Sequence, residues 1–202
     1  MRELFEKNHI CAIMRNIPGE IALDYARAAY SGGIRMFEVA MNTADGPRQI
    51  ELLRNGLGSD SYVGAGTVID ETRCRDAHAA GASFFLTPSV SVTTFEYCRK
   101  HQIPLLPGVL TPSDVGICLE YGYDVMKLFP AGEMPAGYIK SLKGPFDQTD
   151  YVAVGGVSPD NYRQYLAGGY IGVGIGSNLI PSEYIKNRMW REATEHIGDS
   201  LR

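Results

Sequence analysis

Long uncharged apolar runs are missing from this sequence, which leaves no segment that reads as a membrane-spanning helix. The opening Met1-Arg2-Glu3-Leu4-Phe5-Glu6-Lys7 carries acids and lacks the apolar core of a secretory signal. Cysteine is scarce. Cys11, Cys74, Cys98 and Cys118 are widely spaced, form no Cys-x-x-Cys pair, and are expected to be reduced, half-buried residues of a cytoplasmic protein. His9, His78, His101 and His196 are scattered and show no His-x-His spacing, so no metal site is expected; His78 and His101 read as helix-surface residues. Tyr121, Tyr123, Tyr138 and Trp190 read as core or interface aromatics rather than a base-stacking platform. Charge blocks are absent and the formal net charge is −4, so there is no general pull towards nucleic acid or anionic lipid, and any anion site must be local. Linkers and low-complexity tracts are lacking too, and residues 1–202 are expected to form one domain with a sizeable core.

What is present is alternation. Short apolar runs at Ile10–Met14, Arg35–Ala40, Tyr62–Gly64, Ser83–Leu86, Pro104–Leu106, Asp124–Leu128, Tyr151–Val154 and Ile171–Gly174 read as strands. Helices are expected between them over Glu20–Ser31, Pro47–Asn55, Glu71–Ala80, Thr93–His101, Pro112–Tyr121, Pro135–Leu142 and Pro159–Ala167, with a last one over about Ser182–His196. Thr111 before Pro112 and Ser158 before Pro159 look like N-caps with proline at the first helical position. Gly32-Gly33, Gly81, Gly122 and Gly168-Gly169 sit where helices would stop. Such alternation implies a parallel sheet, either open and doubly wound or closed into a barrel. Markers just after each strand (Arg15, Glu38, Thr67, Pro88, Pro107, Lys127, Gly155, Gly176) follow one another at 19 to 29 residues with no long excursion. That regularity, and the lack of Gly-x-Gly-x-x-Gly after the first strand, favour a compact (β/α)8 TIM barrel over a dinucleotide fold.

In a parallel barrel, chemistry gathers at the carboxyl ends of the strands. Asp124-Val125-Met126-Lys127-Leu128-Phe129-Pro130 sets one lysine in an apolar run. Burial favours a neutral amine and so a nucleophile; the alternatives are an ammonium that snorkels outward or one that neutralises a phosphate. Arg15, Glu38 and Thr67 are the other polar residues at strand ends. Glu38 is either a base that moves the protons of imine chemistry or an ion-pair partner of Lys127 or Arg15. Val154-Gly155-Gly156-Val157-Ser158 and Gly174-Ile175-Gly176-Ser177-Asn178 follow the seventh and eighth strands, the usual place of a barrel phosphate site, although glycines there can also serve only as tight turns. Ser177 and Arg15 could donate to the same phosphate.

Together, Ala12-Ile13-Met14-Arg15, Phe37-Glu38-Val39, Gly64-Ala65-Gly66-Thr67-Val68, Pro107-Gly108-Val109, Lys127-Leu128-Phe129-Pro130-Ala131 and Gly155-Gly156-Val157 form a specific ordered set. In these motifs, nearly end to end, the chain resembles the 2-keto-3-deoxy-6-phosphogluconate (KDPG) and 2-keto-4-hydroxyglutarate (KHG) aldolases, class I aldolases on a compact (β/α)8 barrel. The resemblance implies a Schiff base at Lys127, a proton shuttle at Glu38, the pyruvate carboxylate at Thr67, and the phosphorylated end at Arg15, Gly156, Gly176 and Ser177. Pro88, Val154 and Gly155 join the expected substrate set. It also implies a homotrimer that needs no metal or organic cofactor, with a phosphorylated 2-keto acid and pyruvate as its small-molecule partners.

Two positions depart from the phosphogluconate pattern. Asn42 stands where an arginine usually helps hold the pyruvate end, and Val154 where a threonine usually precedes the double glycine. Both look like the sister 2-dehydro-3-deoxy-6-phosphogalactonate (KDPGal) aldolases, and valine cannot bond a C4 hydroxyl as threonine can. The expected reaction is therefore retro-aldol cleavage of the galacto epimer to pyruvate and D-glyceraldehyde 3-phosphate. The alternatives are the gluco epimer, 4-hydroxy-2-oxoglutarate or another 2-keto acid. A non-covalent phosphosugar isomerase using Glu38 as base and a sugar-phosphate sensor are the rival readings.

Overall fold

The structure, a computed structural model, describes residues 1–43 and 45–201. Strands β1 (Ile10–Met14), β2 (Met36–Ala40), β3 (Tyr62–Gly66), β4 (Phe85–Leu86) and β5 (Leu105–Leu106) are followed by β6 (Gly108–Val109), β7 (Val125–Leu128), β8 (Asp150–Val154) and β9 (Gly172–Ile175). All their pairings are parallel, in the order β5-β4-β3-β2-β1-β9-β8-β7-β6. The terminal segments β5 and β6 flank Pro107, so one interrupted strand pairs with β4 through its first half and with β7 through its second. The expected eight-position barrel is therefore nearly closed, with nine strand segments among the described residues. Proline has no N–H for the ladder, which accounts for the interruption at this point; its carbonyl still accepts from Lys127 N–H at 2.8 Å.

Successive strand side chains alternate between two cores. Ala12, Met14, Phe37, Val39, Met126, Leu128 and Ala153 face outward into the layer shared with the helices. Cys11, Ile13, Met36, Phe84, Leu86, Leu106, Val125, Val152 and Val154 fill the barrel interior. Burial on both faces is why these strands read as continuous apolar runs. Glu38 lies two residues beyond Met36 and Lys127 two beyond Val125, so alternation turns both inward.

The surrounding helices are α2 (Gly19–Ser31), α3 (Gly46–Gly56), α4 (Glu71–Ala79), α5 (Val92–His101), α6 (Pro112–Glu120), α7 (Tyr138–Lys143) and α8 (Tyr162–Ala167), preceded by α1 (Arg2–Lys7). Thr111 caps α6 as expected, in a capping box with Asp114, and Gly122 (φ 83°) follows its end in the left-handed region. Three expectations need correction, and one helix is not among those expected. The opening segment is helical: α1 inserts Phe5, fully buried, into the amino end of the barrel, while Arg2 bridges Asp124 and Asp150. Helix α8 begins at Tyr162 rather than Pro159, because the Asn161 side chain bonds back to the preceding loop and holds Ser158–Asn161 as a turn. Helix α7 begins at Tyr138, after a 3₁₀ turn over Ala131–Glu133 and the Pro135-Ala136-Gly137 stretch. The last helix is two, α9 (Ser182–Lys186) and α10 (Trp190–Leu201), broken where Arg188 takes φ 53°. No helix among the described residues is long and apolar enough to cross a membrane.

Candidate active site

Strands β2 and β7 stand opposite one another in the ring, so Glu38 and Lys127 approach the interior from facing walls. Glu38 is 0% and Lys127 1% exposed. Burial is the largest influence on the lysine amine and lowers its pKa below the ordinary value; the Glu38 carboxylate opposes this, the Arg15 guanidinium adds to it, and Cys11 opposes it. Its Nζ lies 5.1 Å from the centroid of the Phe129 ring. Both Glu38 oxygens are buried with no hydrogen-bond partner among the described residues, and no ion pair with Lys127 or Arg15 forms. A buried carboxylate in that position is expensive unless its partner comes from outside the chain. Room for it exists only because Gly66 on the neighbouring β3 lacks a side chain: a Cβ there would overlap Glu38 Oε1 and sit 2.6 Å from its Cγ.

Phe129 also lines a cavity of about 310 Å³ at the carboxyl ends of β1, β8 and β9. Its walls bring together six residues expected from the sequence: Arg15, Val154, Gly155, Gly156, Gly176 and Ser177. Gly155 (φ 89°) and Gly156 (φ 77°) both take the left-handed conformation, which a β-carbon would disfavour. Gly132 packs on this turn so closely that a Cβ on it would lie 2.9 Å from Gly156 Cα, and its N–H donates to Gly155 O at 2.8 Å. Among the described residues the N–H groups of Gly156, Val157 and Ser177 have no protein acceptor. Unpaired amides on a concave wall beside an arginine suit a phosphate. Lysine and diglycine turn thus share one rim, on the adjacent strands β7 and β8.

The remaining expected residues lie outside this cavity. Thr67 follows β3 half-buried, with φ 58°, rare for a β-branched residue, and its carbonyl accepts from the Arg73 guanidinium at 3.1 Å. Pro88 follows β4 and backs onto Gly108, where a Cβ would lie 2.6 Å from Pro88 O. Asn42 is exposed in the turn after β2. Sequence reasoning missed Asn16 and Asn178, which line the cavity, and Cys11, which neighbours the lysine and glutamate. Their flanking positions, beside Arg15 and Ser177, were the available signal for the two asparagines. The four cysteines are free and buried, more deeply than expected, and burial pushes the Cys11 thiol well above its usual range. His78 and His101 sit exposed on α4 and α5. Among the described residues no group of three or more His, Cys, Asp or Glu could hold a metal ion.

The family model for KDPG and KHG aldolases matches residues 1–196. The chain belongs to this aldolase family. It is an aldehyde-lyase. The KHG/KDPG aldolase of Escherichia coli strain K12 is 32% identical over 185 residues, covering 87% of this chain and 86% of its own. The 2-dehydro-3-deoxy-6-phosphogalactonate aldolase of the same strain is 29% identical over 190 residues, covering 93% and 92%. Among solved structures, the KDPG aldolase of Legionella pneumophila, with pyruvate captured at low pH as a covalent carbinolamine intermediate, superposes with a TM-score of 0.88 at 34% identity, covering 98% of this chain and 97% of that one. KDPG and KDPGal aldolases are thus both relatives of this aldolase, at similar distance.

Proposed function

We propose that this aldolase works through a Schiff base at Lys127, with Glu38 as the proton shuttle. The observation that carries the reading is a buried amine of lowered pKa facing a buried carboxyl group with no hydrogen-bond partner among the described residues. Neutral Nζ attacks the C2 ketone of a 2-keto-3-deoxy-6-phospho sugar acid to give a carbinolamine. Glu38 donates the proton with which the C2 hydroxyl leaves as water, forming the iminium. The carboxylate then takes the C4 hydroxyl proton, the C3–C4 bonding electrons flow into the iminium, and D-glyceraldehyde 3-phosphate departs. The resulting enamine is protonated at its terminal carbon by Glu38, and water releases pyruvate and the free amine. In this reading Thr67 holds the pyruvate carboxylate with Pro88 beside it, while Arg15, Gly155, Gly156, Gly176 and Ser177 hold the phosphate.

The substrate we propose is the galacto epimer. Val154 supports it: it is nearly buried in the cavity wall and presents only methyl groups where a threonine hydroxyl would favour the gluco C4 hydroxyl. Asn42, uncharged and exposed, fits a pyruvate end that is not held by arginine at this position. Assembly as a trimer belongs to the same proposal; Ile69 and Val92 offer exposed apolar surface for it, and light scattering should then give three times the 22.1 kDa chain mass. The deciding experiment treats the protein with pyruvate and borohydride, maps the adduct, and follows pyruvate release from both C4 epimers. An adduct on Lys127 that Lys127→Ala loses, with faster release from the galacto epimer, is expected. No adduct and no pyruvate release from either epimer would favour the non-covalent isomerase; faster gluco turnover would reverse the epimer assignment.

A further inference from the structure

We infer that Asn161 is a positioning residue for the phosphate end of the substrate, acting through the diglycine turn. The inference rests on the phosphate reading of the cavity above. Asn161 lies immediately before α8 and does not line that cavity. Its Nδ2 donates to Gly156 O at 3.0 Å, and its Oδ1 accepts from Ser158 N–H at 2.9 Å. One amide therefore ties both ends of the Gly156–Ser158 segment.

The consequence follows from what the turn has left. Gly155 O is already committed to Gly132 N–H, Gly156 O to Asn161, and Ser158 N–H to Asn161. The N–H groups of Gly156 and Val157 remain without a protein acceptor among the described residues, and both residues line the cavity. Paired left-handed glycines are not held in one conformation by their own sterics, since glycine samples many. An external clamp is needed to keep two amides converging on an anion, and the geometry assigns that role to the Asn161 side chain, whose hydrogen bonds do not close a cap on α8 itself.

The test measures inorganic phosphate binding by calorimetry, with exchange of pyruvate methyl hydrogens for solvent deuterium as the second readout. Asn161→Ala should weaken phosphate binding and raise KM for the phosphorylated substrate about tenfold, as expected for losing two oriented hydrogen bonds, while pyruvate exchange keeps its wild-type rate. Asn161→Ser leaves one shorter hydroxyl in place of two separate polar atoms, so it cannot bond Ser158 N–H and Gly156 O as the amide does, and should show the same split should the alanine variant fold poorly. Unchanged phosphate affinity in both variants would overturn the inference. So would an equal fall in phosphate binding and pyruvate exchange, the mark of a general structural lesion. If the wild type forms no pyruvate adduct, the Schiff-base reading fails, whereas the phosphate titration still decides the role of Asn161.

Discussion

Gly66→Ala is the sharpest perturbation available, because it adds one carbon against the proposed proton shuttle and leaves both proposed reacting side chains chemically unchanged. The new Cβ would overlap Glu38 Oε1 and crowd its Cγ at 2.6 Å, so clearing it moves the carboxylate by about 2 Å. Gly66 has no positive φ, so the alanine backbone is unstrained and the clash falls on the side chain. Overpacking of this kind lowers stability by about 1–3 kcal/mol. The catalytic loss is larger in proportion: a misplacement of about 1 Å costs on the order of 100-fold, or about 2.7 kcal/mol of barrier, and this shift is larger. The variant should therefore fold, with a melting temperature lowered by only a few degrees, and lose at least about 100-fold in kcat. Pyruvate binding should persist, while exchange of pyruvate methyl hydrogens with deuterium, which needs the shuttle at the enamine carbon, should fall in step with kcat. Near-normal turnover in a folded Gly66→Ala protein would refute the placement of Glu38 at the reacting atoms.

Lys127→Met tests the amine through linkage. The folded lysine titrates below the ordinary value of 10.5, so between those two values the unfolded chain binds more protons and wild-type stability rises with pH. The stability of the methionine variant relative to wild type should accordingly be greatest at low pH and decline as pH rises through that window, as read from urea melts across the pH range; a margin independent of pH would mean an unperturbed lysine. Val154→Thr should shift the ratio of kcat/KM for the two C4 epimers by about tenfold towards gluco, measured by pyruvate release, and an unmoved ratio would show that this side chain does not read C4. Phe5→Ala empties the amino end of the barrel and should destabilise by about 3–5 kcal/mol, lowering Tm by about 10 °C while KM stays unchanged, because Phe5 lies at the end opposite the cavity.

Much of the barrel was legible because its signals are local. Apolar runs of strand length, Thr111 before Pro112 and the glycine after α6 each act within a few residues, and they found the strands and most helices. The errors also have local causes that composition hides. Proline before α8 suggested a first helical position, whereas the side chain of Asn161, further along, holds that stretch as a turn. The acids of α1 drew attention away from Phe5, whose burial depends on a barrel floor that no nearby residue reveals.

By itself the sequence determined the alternation of strands and helices, the rim residues Arg15, Val154, Gly155, Gly156, Gly176 and Ser177 as one group, and the choice of Lys127 and Glu38 as the pair to examine. These follow from periodicity, from polar residues interrupting apolar runs and from glycine turns after the seventh and eighth strands, with Val154 singled out by the family resemblance. Only closure of the ring decided that Lys127 and Glu38 face each other across it, that the amine is desolvated, that the carboxyl group lacks a partner among the described residues, and that Gly66 makes its space. Desolvation and cross-barrel distance are set by residues far apart in the chain, so they come into being when β5 and β6 join the two ends of the sheet through Pro107.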